Sequence, residues 1–324
     1  MTLEKAIGRI DRATKGRSME LNLSNLDLNE VPSQIIRCKN LRHLNLSGNR
    51  LTDIPEELKY LPNLTSLSLG GNQLTYVPTV LSFLSNLTSL YLGGNQLTYV
   101  PVTLRLMSNL TDLYLSNNKI TEIPDDFLEQ MPNLTGLCLD RNQITYISET
   151  FGQLSKLESL FLEDNQITFI PEVLGQLSNL KQLSLARNQI TLISDVLGQL
   201  SNLVTLNLSA NQITSIPEMF GQLLNLEDLS LEDNQITFIP EALGQLSNLT
   251  SLNLERNHIT FIPEALGQLS NLKWFNLCDN RITSIPETLG HLSKLEWFQF
   301  AGNQITSIPE ALRQLLNVKE LGMD

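Results

Sequence analysis

Tryptophan is nearly missing from this chain of 324 residues, present only as Trp274 and Trp297, and histidine is limited to His43, His258 and His291. Cysteine occurs three times, as Cys38, Cys138 and Cys278, with no C-x-x-C pair. That excludes a dense disulfide framework, and scattered thiols point to a reducing, cytoplasmic compartment. No stretch reaches the 18 or so apolar residues a membrane helix needs. The first residues, MTLEKAIGRIDRATKGR, are charged throughout and lack the apolar core of a signal peptide. Basic residues are in deficit: 22 Lys and Arg stand against 34 Asp and Glu, for a net charge of −12 and a pI of about 4.8. Binding to a phosphate backbone needs clustered cations, so nucleic acid is excluded as a partner, while basic partners are favoured. H-E-x-x-H, G-x-x-x-x-G-K-[ST] and metal-spaced Cys/His clusters are all absent. The histidines stand far apart with no nucleophile arrangement. No catalytic residue, metal, cofactor or small-molecule substrate is expected.

What is present is repetition. FIPEALGQLSNL occurs at residues 238–249 and again, letter for letter, at 261–272. An asparagine recurs as Asn49, Asn72, Asn95, Asn118, Asn142, Asn165, Asn188, Asn211, Asn234, Asn257, Asn280 and Asn303. Each step is 23 residues except Asn118 to Asn142, which is 24, the extra residue falling in IPDDFLEQMPNL. Around each asparagine the frame is L-x-x-L-x-L-x-x-N-x-[IL]-T-x-[IV]-P, as in Leu64, Leu67, Leu69, Asn72, Leu74, Thr75, Val77 and Pro78. The x-L-x-L-x part has period two and predicts a short strand with its leucines turned inward. Stacked copies make a parallel sheet. An amide both donates and accepts, so stacked asparagines satisfy backbone groups of their own and neighbouring turns. The threonine column, Thr52 to Thr306, is expected to bond in a similar way.

After I-P the letters E-x-L-G-Q-L-S-N predict a short helical or 3₁₀ turn on the outer side. The acid that opens it recurs at Glu56, Glu149, Glu172, Glu218, Glu241, Glu264, Glu287 and Glu310. A carboxylate at the start of a helical turn is favoured by the local dipole, so this row reads as structural. Residues 2–15 predict an amphipathic capping helix with Leu3, Ile7 and Ile10 on one face and Gly16 as its C-cap. The first repeat, LNLSNLDLNEVP, has Leu26 where the ladder asparagine belongs, as terminal repeats often deviate. The chain stops within a repeat, at Val318, Leu321 and Met323, leaving an apolar edge, and a following domain is expected. The domain reading is a capping helix at 1–17 and a solenoid at 18–324 of about 13 repeats, the last incomplete. The N-L-T triplets at Asn63, Asn86 and Asn109 fall out of the repeat and carry no weight as glycosylation sites.

Function belongs to the letters that vary. Between the second and third leucines the chain reads Asn45, Ser68, Tyr91, Tyr114, Cys138, Phe161, Ser184, Asn207, Ser230, Asn253, Asn276 and Gln299. Tyr91, Tyr114, Cys138 and Phe161 are consecutive and predict an exposed patch spanning roughly 15 Å at the strand spacing. Aromatics in a row suit a protein partner, although a sheet also tolerates them without function. Trp274 and Trp297 are neighbours one position before the second leucine. They are read either as a contact for a partner or as a seal against a following domain. Glu163 and Asp164, then Glu232 and Asp233, form an acidic rim interrupted by Arg141, Arg187 and Arg256. That rim either selects a basic partner segment or is simply solvated. A last aromatic column, Tyr76, Tyr99, Tyr146, Phe169, Phe238 and Phe261, is read as lateral packing on the flank.

This frame resembles the leucine-rich repeat family, in its 23-residue intracellular type, from about Ser18 to the last residue. The resemblance implies an α/β, curved leucine-rich repeat solenoid with a parallel β-sheet on the concave face and short helical or 3₁₀ turns on the convex face. The helix AIGRIDRA followed by MELNLSNLDLNEVP is similar to the entry of the repeats in prokaryotic Roco proteins. In that family the repeats precede a Ras-like GTPase domain and a dimerisation domain. This implies a module that regulates the GTPase or recruits protein or peptide partners to it, one partner being the GTPase domain of the same chain. No residue here carries a nucleotide-binding motif. A free-standing or effector-type scaffold, and a sensor of another signalling enzyme, stay open.

Overall fold

The computed structural model describes residues 2–100, 102–313 and 320–322. It divides into two compact units, Met1–Ser159 and Leu160–Asp324. Each repeat contributes one three-residue strand whose central apolar residue is buried. In the first unit these are β1 (Glu20–Asn22), β2 (His43–Asn45), β3 (Ser66–Ser68), β4 (Ser89–Tyr91), β5 (Asp112–Tyr114) and β6 (Gly136–Cys138). They pair in parallel, in chain order, and the register aligns Leu21, Leu44, Leu67, Leu90, Leu113 and Leu137. β7 (Ser159–Phe161) lies at the division. The second unit holds β8 (Gln182–Ser184), β9 (Thr205–Asn207), β10 (Asp228–Ser230), β11 (Ser251–Asn253), β12 (Trp274–Asn276), β13 (Trp297–Gln299) and β14 (Glu320–Gly322). These also run parallel in chain order, aligning Leu183, Leu206, Leu229, Leu252, Phe275, Phe298 and Leu321. Of the residues placed at the end of the chain, Val318 and Met323 lie outside the described residues.

The repeat letters form the core. Leu67, Leu90 and Leu113 are fully enclosed, as are Leu69, Leu92 and Leu115. Burying one such side chain contributes about 1.5–3 kcal/mol, and the repeat supplies several per turn. Phe275 and Phe298 stack inside the second unit with centroids 5.3 Å apart.

The ladder asparagines are nearly all buried and act as intended by their chemistry. Asn72 Nδ2 donates to the carbonyls of Leu46 and Leu69 at 3.1 and 2.9 Å, and its Oδ1 accepts the Leu51 N–H at 3.0 Å. Asn211 repeats the pattern with Leu185, Leu208 and Ile190. In the first repeat Leu26 occupies the ladder position, and Asn49 Oδ1 accepts the N–H groups of both Leu26 and Leu28. The residue before each ladder asparagine is left-handed, with φ from 51° to 70° between Gly48 and Gly302. Glycine fills it in the early repeats. Asn117, Arg141, Asp164, Arg187, Ala210, Asp233, Arg256 and Asp279 fill it later.

On the side away from the sheet the chain makes five-residue 3₁₀ turns, such as Glu241–Gln245 and Glu264–Gln268. The glycine of L-G-Q-L is required there. A Cβ on Gly244 would collide with the Ala265 carbonyl oxygen and Cβ of the next turn. The one-residue insertion turns this element into an α-helical turn, α2 (Asp125–Leu128), following α1 (Thr2–Lys15). Where Pro gives way to Ser148 and Ser194, the hydroxyls cap the turns by accepting from Thr150 N–H and Val196 N–H.

Four expectations need correction. The buried face of α1 is Ala6, Ile10 and Ala13, whereas Leu3 is 44% exposed and Ile7 half-buried. Gly16 is not the left-handed cap. Arg17 takes that conformation, and Ser18 N–H closes back on the Ala13 carbonyl at 2.9 Å, a Schellman pattern shifted by one residue. The threonine column, Thr52 to Thr306, is exposed and lies outside the hydrogen-bonded ladder. The flank aromatics Tyr76, Tyr99, Tyr146, Phe169, Phe238 and Phe261 are 40–53% exposed and are not packed away.

Candidate functional site

In each unit the sheet presents an open side made of the letters that differ between repeats. In the first unit Tyr91 and Tyr114 are register partners on β4 and β5. Their rings stack at 4.6 Å between centroids and 12° between planes, which is worth about 0.5–1.5 kcal/mol beyond buried area. Each ring is half-buried, with one face against its neighbour. Asp112 lies beside them and accepts from Ser89 Oγ at 3.3 Å and Thr111 Oγ1 at 2.8 Å. Burial, then the Tyr91 ring, the Asp112 charge and Cys138, push the Tyr114 phenol upward, so it stays neutral.

Cys138 departs from the expected patch. It is register partner to Tyr114, but only 9% exposed. Its Sγ donates to Asp140 Oδ2 at 3.2 Å, and burial together with the Asp140 charge pushes the thiol up to about 12. A small thiol between a tyrosine and a carboxylate is covered rather than offered. Phe161 belongs to the second unit and is half-buried on β7.

The second unit carries the remaining candidates. Glu163 and Asp164 both lie 3.9 Å from Arg187. Asp233, Glu255 and Asp279 lie 3.5, 3.5 and 3.7 Å from Arg256. The arginines that interrupt the acidic rim in sequence therefore neutralise it in space, in exposed pairs worth at most about 1 kcal/mol each. Glu232 is different. It is half-buried, no cation pairs with it among the described residues, and burial is the main cause that raises its carboxyl above the usual range. Asp228, four residues earlier on the same face, is raised for the same first cause. Trp274 and Trp297 are register partners on β12 and β13, both half-buried. Beside them Asn276 Nδ2 donates to Glu255 Oε2 at 2.8 Å.

Two features escaped sequence reasoning. Asp228 was not singled out, because it stands in a mixed column, beside Thr205 and Ser251, whose place on the sheet face is visible only once the register is known. A second asparagine ladder also runs along the exposed turns. Asn63, Asn86 and Asn109 Nδ2 donate to the carbonyls of Lys39, Pro62 and Ser85 at 2.7–2.9 Å. These triplet asparagines are structural bonds. Among the described residues no group of three or more His, Cys, Asp or Glu side chains could hold a metal ion.

The architecture is shared with known proteins. A solved leucine-rich repeat protein of Leptospira interrogans is 32% identical, over 97% of this chain and 92% of that one, with a TM-score of 0.79. An internalin, inlF, of Listeria monocytogenes is 26% identical over 96% and 92%, with a TM-score of 0.84. A plant peptide hormone receptor, RGFR1, solved in complex with RGF2, is 28% identical over 94% of this chain and 51% of the receptor, with a TM-score of 0.81. No curated protein matches. The family description "Leucine rich repeat" fits residues 19–74, 39–97, 108–167, 201–259, 248–305 and 270–324. "Leucine Rich repeats (2 copies)" fits 85–130, 155–198 and 178–221. With nearly every repeat matched and the register of each sheet following the 23-residue step, the chain belongs to the leucine-rich repeat family.

Proposed function

We propose that this chain is a protein-binding module that takes a protein or peptide partner on the open side of its sheet. One observation carries the reading: the repeat letters are consumed by the core and the ladder, while the aromatic letters that break the repeat remain half-exposed on the sheet. Tyr91, Tyr114, Phe161, Trp274 and Trp297 have the size and rigidity that anchor protein contacts. The peptide hormone receptor among the similar structures supports the same class of ligand. Replacing Tyr91, Tyr114 and Phe161 together with Ser tests it. Partner affinity in a calorimetric titration falls at least tenfold while the melting temperature stays within a few degrees of wild type. Unchanged affinity retires the reading for these residues.

The finer reading is a cytoplasmic module that regulates a Roco-type GTPase or recruits partners to it. It rests on the entry segment, where α1 packs on β1 and its C-terminus passes through Arg17 into the first repeat. Co-purification of the chain with a Roc-type GTPase domain checks this. Binding to unrelated proteins with no affinity for such a domain favours a free-standing scaffold instead.

A further inference from the structure

The second unit's sheet face holds a carboxylate that the fold leaves incomplete. Glu232 Oε2 is closed off from water and has no hydrogen-bond donor. The nearby Ser209 hydroxyl donates instead to Asn207 Oδ1 at 2.7 Å, and Asp233 and Glu255 are the acids that crowd the carboxylate. Those two acids share Arg256; Glu232 does not. On β8, the hydroxyl of Ser184, 7% exposed, likewise has no partner. A desolvated carboxylate oxygen without a donor is costly, and native proteins seldom keep one without a reason.

The neighbourhood is shaped to receive a side chain. Asp228 and Ser230 alternate along β10, and Glu232 continues the same alternation just past its end. The row through Asp228 continues across the register to Ser251, Trp274 and Trp297. A small serine thus separates the carboxylate from an indole platform two strands away, roughly 10 Å. Glu255 is already engaged by Asn276 and Arg256. The chain as a whole, at a net charge of −12, attracts cationic partners.

We propose that this face docks an extended segment of a partner protein bearing arginines, which donate to Glu232 and Asp228 and lay a guanidinium on Trp274. The inference rests on the reading that the sheet's open side is the binding side. Arginine fits better than lysine because its planar fork serves two oxygens at once and stacks on an indole. Asp228 and Glu232, four residues apart, stand about 13 Å apart in extended chain, so every second arginine of an alternating extended segment meets the two carboxylates in turn.

The test uses the full chain and a fluorescent, photoreactive peptide of alternating Gly and Arg. Polarisation measures its affinity for wild type and for Glu232→Gln, Asp228→Asn and Trp274→Leu. Glu241→Gln, on the 3₁₀ side, is the control. Crosslink mapping reports where the peptide lies. The proposal expects crosslinks on β10 to β13, a tenfold or greater weakening in Glu232→Gln and in Asp228→Asn, and no change in Glu241→Gln. Circular dichroism confirms that each variant is folded. No binding, or equal binding by wild type and both carboxylate variants, overturns it. A Gly-Glu peptide that binds this face equally well overturns the arginine specificity and leaves the sheet-face reading standing. Crosslinks confined to the 3₁₀ side overturn both.

Discussion

A single asparagine per repeat bonds several backbone groups at once. Asn211 takes the Ile190 N–H and serves the carbonyls of Leu185, Leu208 and Ser209, all within 3.1 Å. Asn211→Ala leaves the buried Ile190 N–H without its acceptor, while the Leu185 and Leu208 carbonyls keep a second donor in Asn188 and Asn234, so the cost is about 1–3 kcal/mol for the one unsatisfied group. A loss of about 1–3 kcal/mol is expected in urea unfolding, and a loss below about 0.5 kcal/mol contradicts this account of the ladder. The asparagine was legible in the sequence because its chemistry and its spacing pointed to one role. The threonine three residues on was equally regular, yet it is exposed. Regular spacing alone does not say whether a side chain turns inward. The left-handed residue before the asparagine was hidden for a different reason: Gly71, Arg187 and Ala210 share a backbone shape and no chemistry.

Elements follow from how closely repeats approach one another. Strands were readable from their period of two. The 3₁₀ turns were readable only as some helical turn, because five residues are too few to show a period. Their glycine explains the geometry. Gly221, Gly244 and Gly267 allow the next turn's carbonyl to sit where a Cβ would be. In the first unit the equivalent position is Ser82 or Arg105 in two of the turns and Gly152 in another. Gly244→Ala should cost about 1–3 kcal/mol by overpacking, measured as a lower midpoint in chemical unfolding. A neutral or stabilising effect shows that the turns yield freely. The capping helix illustrates a register error. Its pattern was right in period but rotated, so Ala6 and Ala13 face inward with Ile10. Small alanines let the helix lie close to the first strand, and hydropathy alone ranks them below Leu3.

For the whole molecule the excess of acid sets the response to pH. Asp228 and Glu232 have folded-state values raised by burial. Their neighbours are Ser209, Ser230, Ser251, Asp233 and Glu255, with Arg256 paired to the last two. For an acid raised on folding, the native state binds protons more readily than the unfolded chain. These two groups therefore oppose folding above their folded values and cease to do so as pH falls through them toward the unfolded carboxylate range. Glu232→Gln with Asp228→Asn should raise the melting temperature at neutral pH and lose that advantage on acidification. An advantage that is absent at neutral pH, or that grows in acid, contradicts the assignment. The candidate site was half-legible at this scale. Aromatic letters stood out against the repeat, but the burial of Cys138 and the isolation of Glu232 depend on neighbours in adjoining repeats.

The most direct measurement places a photocrosslinking amino acid at Ser68 or Ser230 on the sheet and, separately, at Gln199 or Gln222 on the 3₁₀ turns, in the native host. The account predicts one partner captured from the sheet positions, at yields lowered by the Tyr91, Tyr114 and Phe161 substitutions, and none from the turns. Capture from the turns alone, or equally from both sides, would contradict it.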